Sequence, residues 1–357
     1  MTQVIAVLGA GTMGSGIAVS CLSAGLPVTL IDSQPAALER AGALISAHFR
    51  RQVETGRLAE PEALRFQSGL TLSQALADLA PATVVIEAVF EDPDVKHALL
   101  TEVEPLIAPD TVIATNTSCL LVADLARALR HPERFLGLHY FSPAAVNPVV
   151  ELIRTAQTNA RSAEMAADLL RRTGKEALLC RDSNGFAINR FFCPYCNEAT
   201  RLTGEGLATP GQVDAVARET FGLALGPFAV MNLTHPRIML HAQQSLTRFG
   251  AFYTPSPALT AIGAQGTLWE IEAEPEPLAA DTARQVAERL QAAILLVVGE
   301  VVAEGVVSAD DLDRGARLAL RFGTPPGALR ESLGEAEAAR LVAALYKRHP
   351  KESLSHA

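Results

Sequence analysis

Residues 4–14 read VIAVLGAGTMG, a short apolar run rich in β-branched residues that ends in three glycines, Gly9, Gly11 and Gly14. No other stretch restricts the fold as strongly. The run has the make-up of a buried strand, and Thr12 to Ala24 read as a helix that Gly25 stops. Pro27 to Ile31 supply a second apolar strand ending at Asp32, and Ser33 with Pro35 form an N-cap and first turn for a long helix. Strand, glycine turn, helix and second strand within about thirty residues complete a βαβ unit, which commits the chain to a parallel sheet.

Glycines placed this way let the backbone approach a pyrophosphate, and the helix behind them offers unpaired N–H groups and the positive end of its dipole. Asp32 stands 23 residues after Gly9, at the tip of the second strand, where a carboxylate can accept bonds from ribose hydroxyls and repel a 2′-phosphate. NAD is therefore expected over NADP, with Gly9, Gly11, Thr12, Met13, Gly14 and Asp32 as its contacts.

The alternation continues. Strands are expected at Thr83 to Glu87, Thr111 to Thr115, Phe135 to His139, Val149 to Leu152 and Glu176 to Cys180. Helices are expected at Asp94 to Ile107, Val122 to Leu129 and Ala163 to Arg172. This order predicts a mostly parallel, doubly wound α/β sheet. Past Cys180 the pattern is helical only, so the first domain is expected over residues 1–183 and an all-α C-terminal domain after it.

A chain of 357 residues exceeds what one core usually organises. The helical part itself repeats: Glu205-Gly206 precedes Asp214, and Glu304-Gly305 precedes Asp313 at the same separation. Each copy then runs into a Gly-Pro-rich turn, Phe221-Gly222 to Gly226-Pro227 and Phe322-Gly323 to Pro326-Gly327. A tandem pair follows, residues 184–288 and a diverged copy at 289–357, each covering the other's apolar face. The tail, Lys351 to Ala357, reads as loose.

A net charge of -9 without a basic, aromatic-interleaved run argues against nucleic acid. The most apolar stretch, Ala292 to Ala303, is short and broken by Gly299 and Glu300, and no basic segment precedes an apolar core at the N-terminus, so no membrane association and a cytoplasmic location are expected. Five cysteines, an odd number in a long chain, fit reduced thiols. Cys193-Pro194-Tyr195-Cys196 has the spacing of a redox pair, but no βαβ unit precedes it in thioredoxin fashion and no second CxxC or histidine pair offers a metal site. Its spacing on a helix puts both sulfurs on one face, so packing is the expected role.

His139 lies at the carboxyl end of a strand, where open α/β sheets collect ligands, and Glu151 follows on an adjoining strand. A carboxylate on one imidazole nitrogen fixes the tautomer and lets the other take a hydroxyl proton as hydride leaves the same carbon. The same histidine could equally be a structural residue.

Five blocks then stand in order: the glycine motif; Ile86-Glu87-Ala88-Val89-Phe90-Glu91; Asn116-Thr117-Ser118; Gly137 to Pro143 with Glu151; and Asp182-Ser183-Asn184-Gly185-Phe186-Ala187-Ile188-Asn189-Arg190. Together they resemble the 3-hydroxyacyl-CoA dehydrogenases over most of residues 1–230. The resemblance implies a Rossmann-like N-terminal domain and NAD-dependent oxidation of an acyl-CoA substrate, as in fatty-acid β-oxidation. It implies His139 as general base, Glu151 as its orienting partner, and Ser118 and Asn189 bonding the substrate's 3-oxygen or the histidine environment. It also implies Glu91, Lys96 and Asn116 near the cofactor. In the similar proteins apolar residues occupy the positions of Cys193 and Cys196. The second helical copy would replace the partner subunit that single-repeat relatives borrow, giving a monomer with an internal pseudo-dimer or else a homodimer.

Simpler roles stay open: Ser118 as a helix N-cap, Asn189 as a cap or loop contact, Glu91 as a turn acid, Lys96 on a solvated face. Two departures bear on specificity. Ser142 stands where the family usually has Asn, and Asn232 and His235 stand where it tends to have an acidic residue and a glycine. Free hydroxy acids of the sugar-acid or carnitine type, or an idle NAD-binding protein, are the alternative readings.

Overall fold

A computed structural model describes residues 3–349, and the tail from Lys351 lies outside the described residues. The chain divides into two compact units, one up to Asp182 and one from Ser183 onward.

The first unit opens with β1 (Ile5–Leu8), α1 (Thr12–Ser23), β2 (Val28–Ile31), α2 (Pro35–Glu54), α3 (Glu60–Ser68) and β3 (Leu70–Ser73). It continues with β4 (Val84–Glu87), α4 (Pro93–Val103), β5 (Val112–Thr115) and α5 (Val122–Ala126), and closes with β6 (Phe135–Tyr140), β7 (Val149–Arg154), α6 (Ala160–Arg172) and β8 (Glu176–Arg181). One eight-stranded sheet runs in the order β3-β2-β1-β4-β5-β6-β7-β8. The order reverses between β1 and β4, so the carboxyl ends of these two strands form the switch point at which such sheets take ligands. β1 and β4 are buried at every position, which is why β1 reads as an unbroken apolar run and β4 as one closed by Glu87. Ile5, Val7, Ile17, Leu30, Ile86 and Leu136 belong to the core beneath the site, each stabilising by roughly 1.5–3 kcal/mol through burial.

All pairings are parallel except β6 with β7. That antiparallel register sets His139 directly opposite Glu151. The edge strand β3 was not anticipated. Its four residues, Leu-Thr-Leu-Ser, alternate apolar and polar over too short a run to mark a strand, and they are half-buried or exposed. Other boundaries shift. Gln34, not Ser33, is the residue before α2, and α4 ends at Val103 in a tight turn over Glu104–Leu106 instead of reaching Ile107.

The second unit holds α7 (Ile188–Gly204), α8 (Pro210–Phe221), α9 (Pro227–Thr234), α10 (Pro236–Ser245) and α11 (Pro257–Gln265). After these come α12 (Ala280–Ala303), α13 (Ala309–Ala319), α14 (Pro326–Leu333) and α15 (Glu335–Arg348). Within it, the carboxylate of Asp214 on α8 accepts from the backbone N–H groups of Phe228 and Ala229 at the start of α9, at 2.8 and 3.0 Å. Asp313 on α13 accepts from Gly327 at the start of α14, at 2.8 Å. The long helices α7 and α12 exchange ion pairs: Arg190 reaches Glu304 at 2.9 Å, and Arg289 reaches Glu205 at 2.9 Å. Both arginines and both glutamates are 99 residues apart. Phe221 and Phe322 lie 5.7 Å apart between ring centroids, with the adjacent Gly222 and Gly323 in backbone contact.

Candidate active site

The glycine loop is built by two different constraints. Gly9 adopts φ +100°, and a Cβ there would fall 2.6 Å from the Ala88 carbonyl oxygen. At Gly14 a Cβ would fall 1.8 Å from the Gly9 oxygen, an impossible approach. The turn therefore requires both glycines for its own packing. Gly11 is different: a Cβ there meets no protein atom within 4 Å. Helix α1 starts immediately after it at Thr12 and Met13, with no capping side chain and no acid in its first turn. That end suits an anion, since unpaired N–H groups and the dipole both favour negative charge. Asp32, at the end of β2, accepts from Ala10 N at 2.8 Å and from Gln34 N at 2.9 Å. It shapes the turn and presents its carboxylate beside it.

At the ends of β6 and β7, His139 Nδ1 lies 2.6 Å from Glu151 Oε2. A carboxylate only accepts, so Nδ1 carries the hydrogen and proton exchange falls to Nε2. Both side chains are buried, His139 at 4% exposure and Glu151 at 0%, so the bond is shielded from competing water. Two neighbours steady the pair: Cys180 on β8 donates its thiol to Glu151 Oε1 at 3.9 Å, and Phe141 packs against the imidazole at 4.5 Å between centroids. The Asn116 carboxamide accepts from Tyr140 N at 2.9 Å, tying the end of β5 to the strand that carries His139.

A second polar group fills the ends of β4 and β5. Lys96 is 1% exposed and its Nζ lies 2.6 Å from Glu87 Oε1 and 3.2 Å from Glu91 Oε2. The solvated-face reading of Lys96 is thereby overturned: α4 turns this position inward. Glu91 Oε1 accepts from the Thr117 hydroxyl at 2.5 Å and from Ser118 N at 2.7 Å, so it holds the loop that carries Ser118 and is more than a turn acid. Burial opposes its charge, but the Lys96 ammonium and these hydrogen bonds prevail and hold the carboxyl below its usual range. Ser118 does not cap the following helix. The start of α5 is capped by Asp182, which accepts from Val122 N at 3.0 Å and Ala123 N at 2.7 Å.

Glu87 was not singled out as a site residue, nor were Thr115 and Asp182. The signal for Glu87 was present, a carboxylate closing an otherwise apolar strand. Asp182 gave none, since its partners are 59 and 60 residues away.

Comparison with known proteins bears on the same residues. The model for the 3-hydroxyacyl-CoA dehydrogenase NAD-binding domain matches residues 4–183, and that for the C-terminal domain of the same enzymes matches residues 185–270. The chain belongs to the 3-hydroxyacyl-CoA dehydrogenase family.

A 3-hydroxybutyryl-CoA dehydrogenase of Mycobacterium tuberculosis is 35% identical over 273 residues, 74% of this chain and 94% of that protein. A 3-hydroxyadipyl-CoA dehydrogenase of Escherichia coli is 36% identical over 65% of this chain and 49% of that protein. The crystal structure of the 3-hydroxybutyryl-CoA dehydrogenase from Escherichia coli K12 superposes with a TM-score of 0.88 at 26% identity, covering 98% of this chain and 95% of that one. As a 3-hydroxyacyl-CoA dehydrogenase the chain is an oxidoreductase, and its cofactor is NAD. The open approach at Gly11, the uncapped start of α1 and the Asp32 carboxylate fit that group.

Asn189 is the second residue of α7, in the other unit. Asn232 bonds the Trp269 backbone in both directions, at 2.9 and 2.8 Å, and His235 joins α9 to α10 at φ +76°. Ser142 is exposed. Among the described residues no helix is long and apolar enough to cross a membrane, and no three His, Cys, Asp or Glu side chains gather as a metal site.

Cys193 and Cys196 are buried on α7, and Tyr195 between them meets Phe221 and Phe322 edge-on. Burial pushes the Cys193 thiol up to about 12 and holds the Cys196 thiol well above the usual thiol range. Thiolates are the reactive form, so these sulfurs are inert packing groups. An aromatic disulfide reagent at pH 8 is expected to leave both unmodified in the folded protein and to modify both after denaturation. Rapid labelling of the pair in the native state would restore a redox role.

Proposed function

We propose that this dehydrogenase interconverts a 3-hydroxyacyl-CoA and its 3-ketoacyl-CoA, with His139 as the proton-transfer group. The bond of 2.6 Å between His139 Nδ1 and Glu151 Oε2 carries this reading. Glu151 holds the ring in the tautomer whose Nε2 takes the 3-hydroxyl proton and returns it in the reverse direction. Ser118, on the loop that Glu91 cups, would donate to the 3-oxygen as charge develops there or to the histidine environment. Gly9, Gly11, Thr12, Met13, Gly14, Asp32, Glu91, Lys96 and Asn116 are the residues that would hold NAD, which supplies the hydride acceptor. A steady-state screen with NADH and NADPH tests the reading, using 3-ketoacyl-CoA thioesters of increasing length against free keto acids. Activity on thioesters with NADH is expected; equal turnover of the free acid would move the assignment to a hydroxy-acid dehydrogenase, and tight NADH binding without any turnover to an idle nucleotide-binding protein.

We also propose that residues 184–288 and 289–357 are two copies of one helical unit and that the second takes the place of a partner subunit. The reciprocal pairs Arg190 with Glu304 and Arg289 with Glu205 support this, because a two-fold relation exchanges such contacts. The relative from Mycobacterium tuberculosis accounts for only 74% of this chain. Light scattering is expected to give a monomer; an obligate dimer dissociated by changes in the helical unit would count against it.

A further inference from the structure

We propose that buried Glu87 and Lys96, together with the half-buried Glu91, act as a fixed charge that sets the preference of the site between oxidised and reduced nicotinamide, with Glu87 as its anchor. The inference rests on the NAD assignment and deepens it. The sheet order places it. The anion-receptive turn lies at the end of β1, Asp32 at the end of β2, and His139 at the end of β6. Only β4 and β5 stand between the turn and His139, and their carboxyl ends carry these three groups together with the loop 116–119. A cofactor half that donates or accepts hydride beside His139 has to pass over them.

Two carboxylates around one ammonium leave one net negative charge. Glu87 is 0% and Lys96 1% exposed, so water cannot screen them well. Nor can they rearrange. Glu87 is the last residue of β4, and its oxygens accept from Val89 N at 2.8 Å, the Thr115 hydroxyl at 2.6 Å and Lys96. The backbone of the glycine turn abuts the next residue, Ala88. The nicotinamide ring is cationic when oxidised and neutral when reduced. A fixed negative charge therefore favours the oxidised form, and its removal should affect the two forms unequally. A purely structural role for Glu87 would weaken both forms together.

Titration of the full-length protein separates the two, with NADH binding followed by its fluorescence and NAD+ binding by competition. Glu87→Gln, which removes one negative charge, is expected to lower NAD+ affinity relative to NADH by about tenfold. Lys96→Met, which adds one unpaired negative charge, should raise the same ratio by about tenfold. The double variant Glu87→Gln/Lys96→Met restores the original net charge, so its ratio should return close to the parent's even where both affinities fall. Equal weakening of NAD+ and NADH in all three variants overturns the proposal. Failure of the parent to bind either nucleotide would instead sink the cofactor assignment. Should Glu87→Gln lose its circular dichroism signature, Lys96→Met alone still decides, because charge predicts a shift in the NAD+ to NADH affinity ratio and packing predicts none.

Discussion

Replacing His139 with alanine is expected to lower NADH oxidation with acetoacetyl-CoA by at least about a hundredfold, the usual scale for a lost general acid or base. The loss should fall on kcat, with NADH affinity nearly unchanged, because the imidazole is held by Glu151, Cys180 and Phe141 and not by the glycine turn. Glu151→Gln is the sharper companion. The amide nearly matches the carboxylate in shape, so strands β6 and β7 should keep their register. An amide can donate to Nδ1, however, and then the hydrogen sits on Nε2, where the acceptor is needed. A fall of about tenfold to a hundredfold in kcat is expected there. Turnover of either variant within about threefold of the parent would leave the dyad without a catalytic role.

The second large effect separates two glycines of one motif. Gly14→Ala places a methyl group 1.8 Å from the Gly9 carbonyl oxygen, and neither backbone can give way without moving the turn. Overpacking of this kind costs about 3 kcal/mol or more. A fall in Tm of several degrees and a rise in NADH Kd of about a hundredfold are expected together. Gly11→Ala should behave otherwise. Its methyl group meets no protein atom within 4 Å, so Tm should stay within about two degrees of the parent. NADH affinity should still drop by about tenfold or more, because the methyl occupies the approach of the pyrophosphate. Calorimetry with fluorescence titration checks both. Parent-like NADH binding by Gly11→Ala would show that the turn is not where the phosphates lie.

Some of this was legible in the residue order and some was not. The first βαβ unit and the strands bearing His139 and Glu151 came from apolar runs and glycine spacing, which are local signals, whereas the reversal point came only from the folded sheet. The edge strand β3 escaped because half of its residues are polar and its pairing is with β2, which only the folded sheet supplies. Lys96 was ambiguous for the opposite reason. Its neighbours on α4 are mixed in character, and nothing nearby in sequence shows that Glu87 and Glu91 close over it.

The sequence by itself determined which chemistry the chain could support: the glycine turn and Asp32 for a dinucleotide, a histidine and a carboxylate on neighbouring strands, and a Cys193–Cys196 pair with no second cysteine pair or thioredoxin-like βαβ unit beside it. These follow from covalent spacing and side-chain type. The tertiary structure alone decided which charged groups are held away from water and by what. Glu87 closes on Lys96 because α4 folds back over the end of β4, while Glu91 meets the Ser118 loop and Asp182 the start of α5 because the sheet brings together residues 27 and 59 apart along the chain. Burial turns those encounters into fixed charges and fixed loops, and burial is a property of the packed sheet rather than of any segment within it.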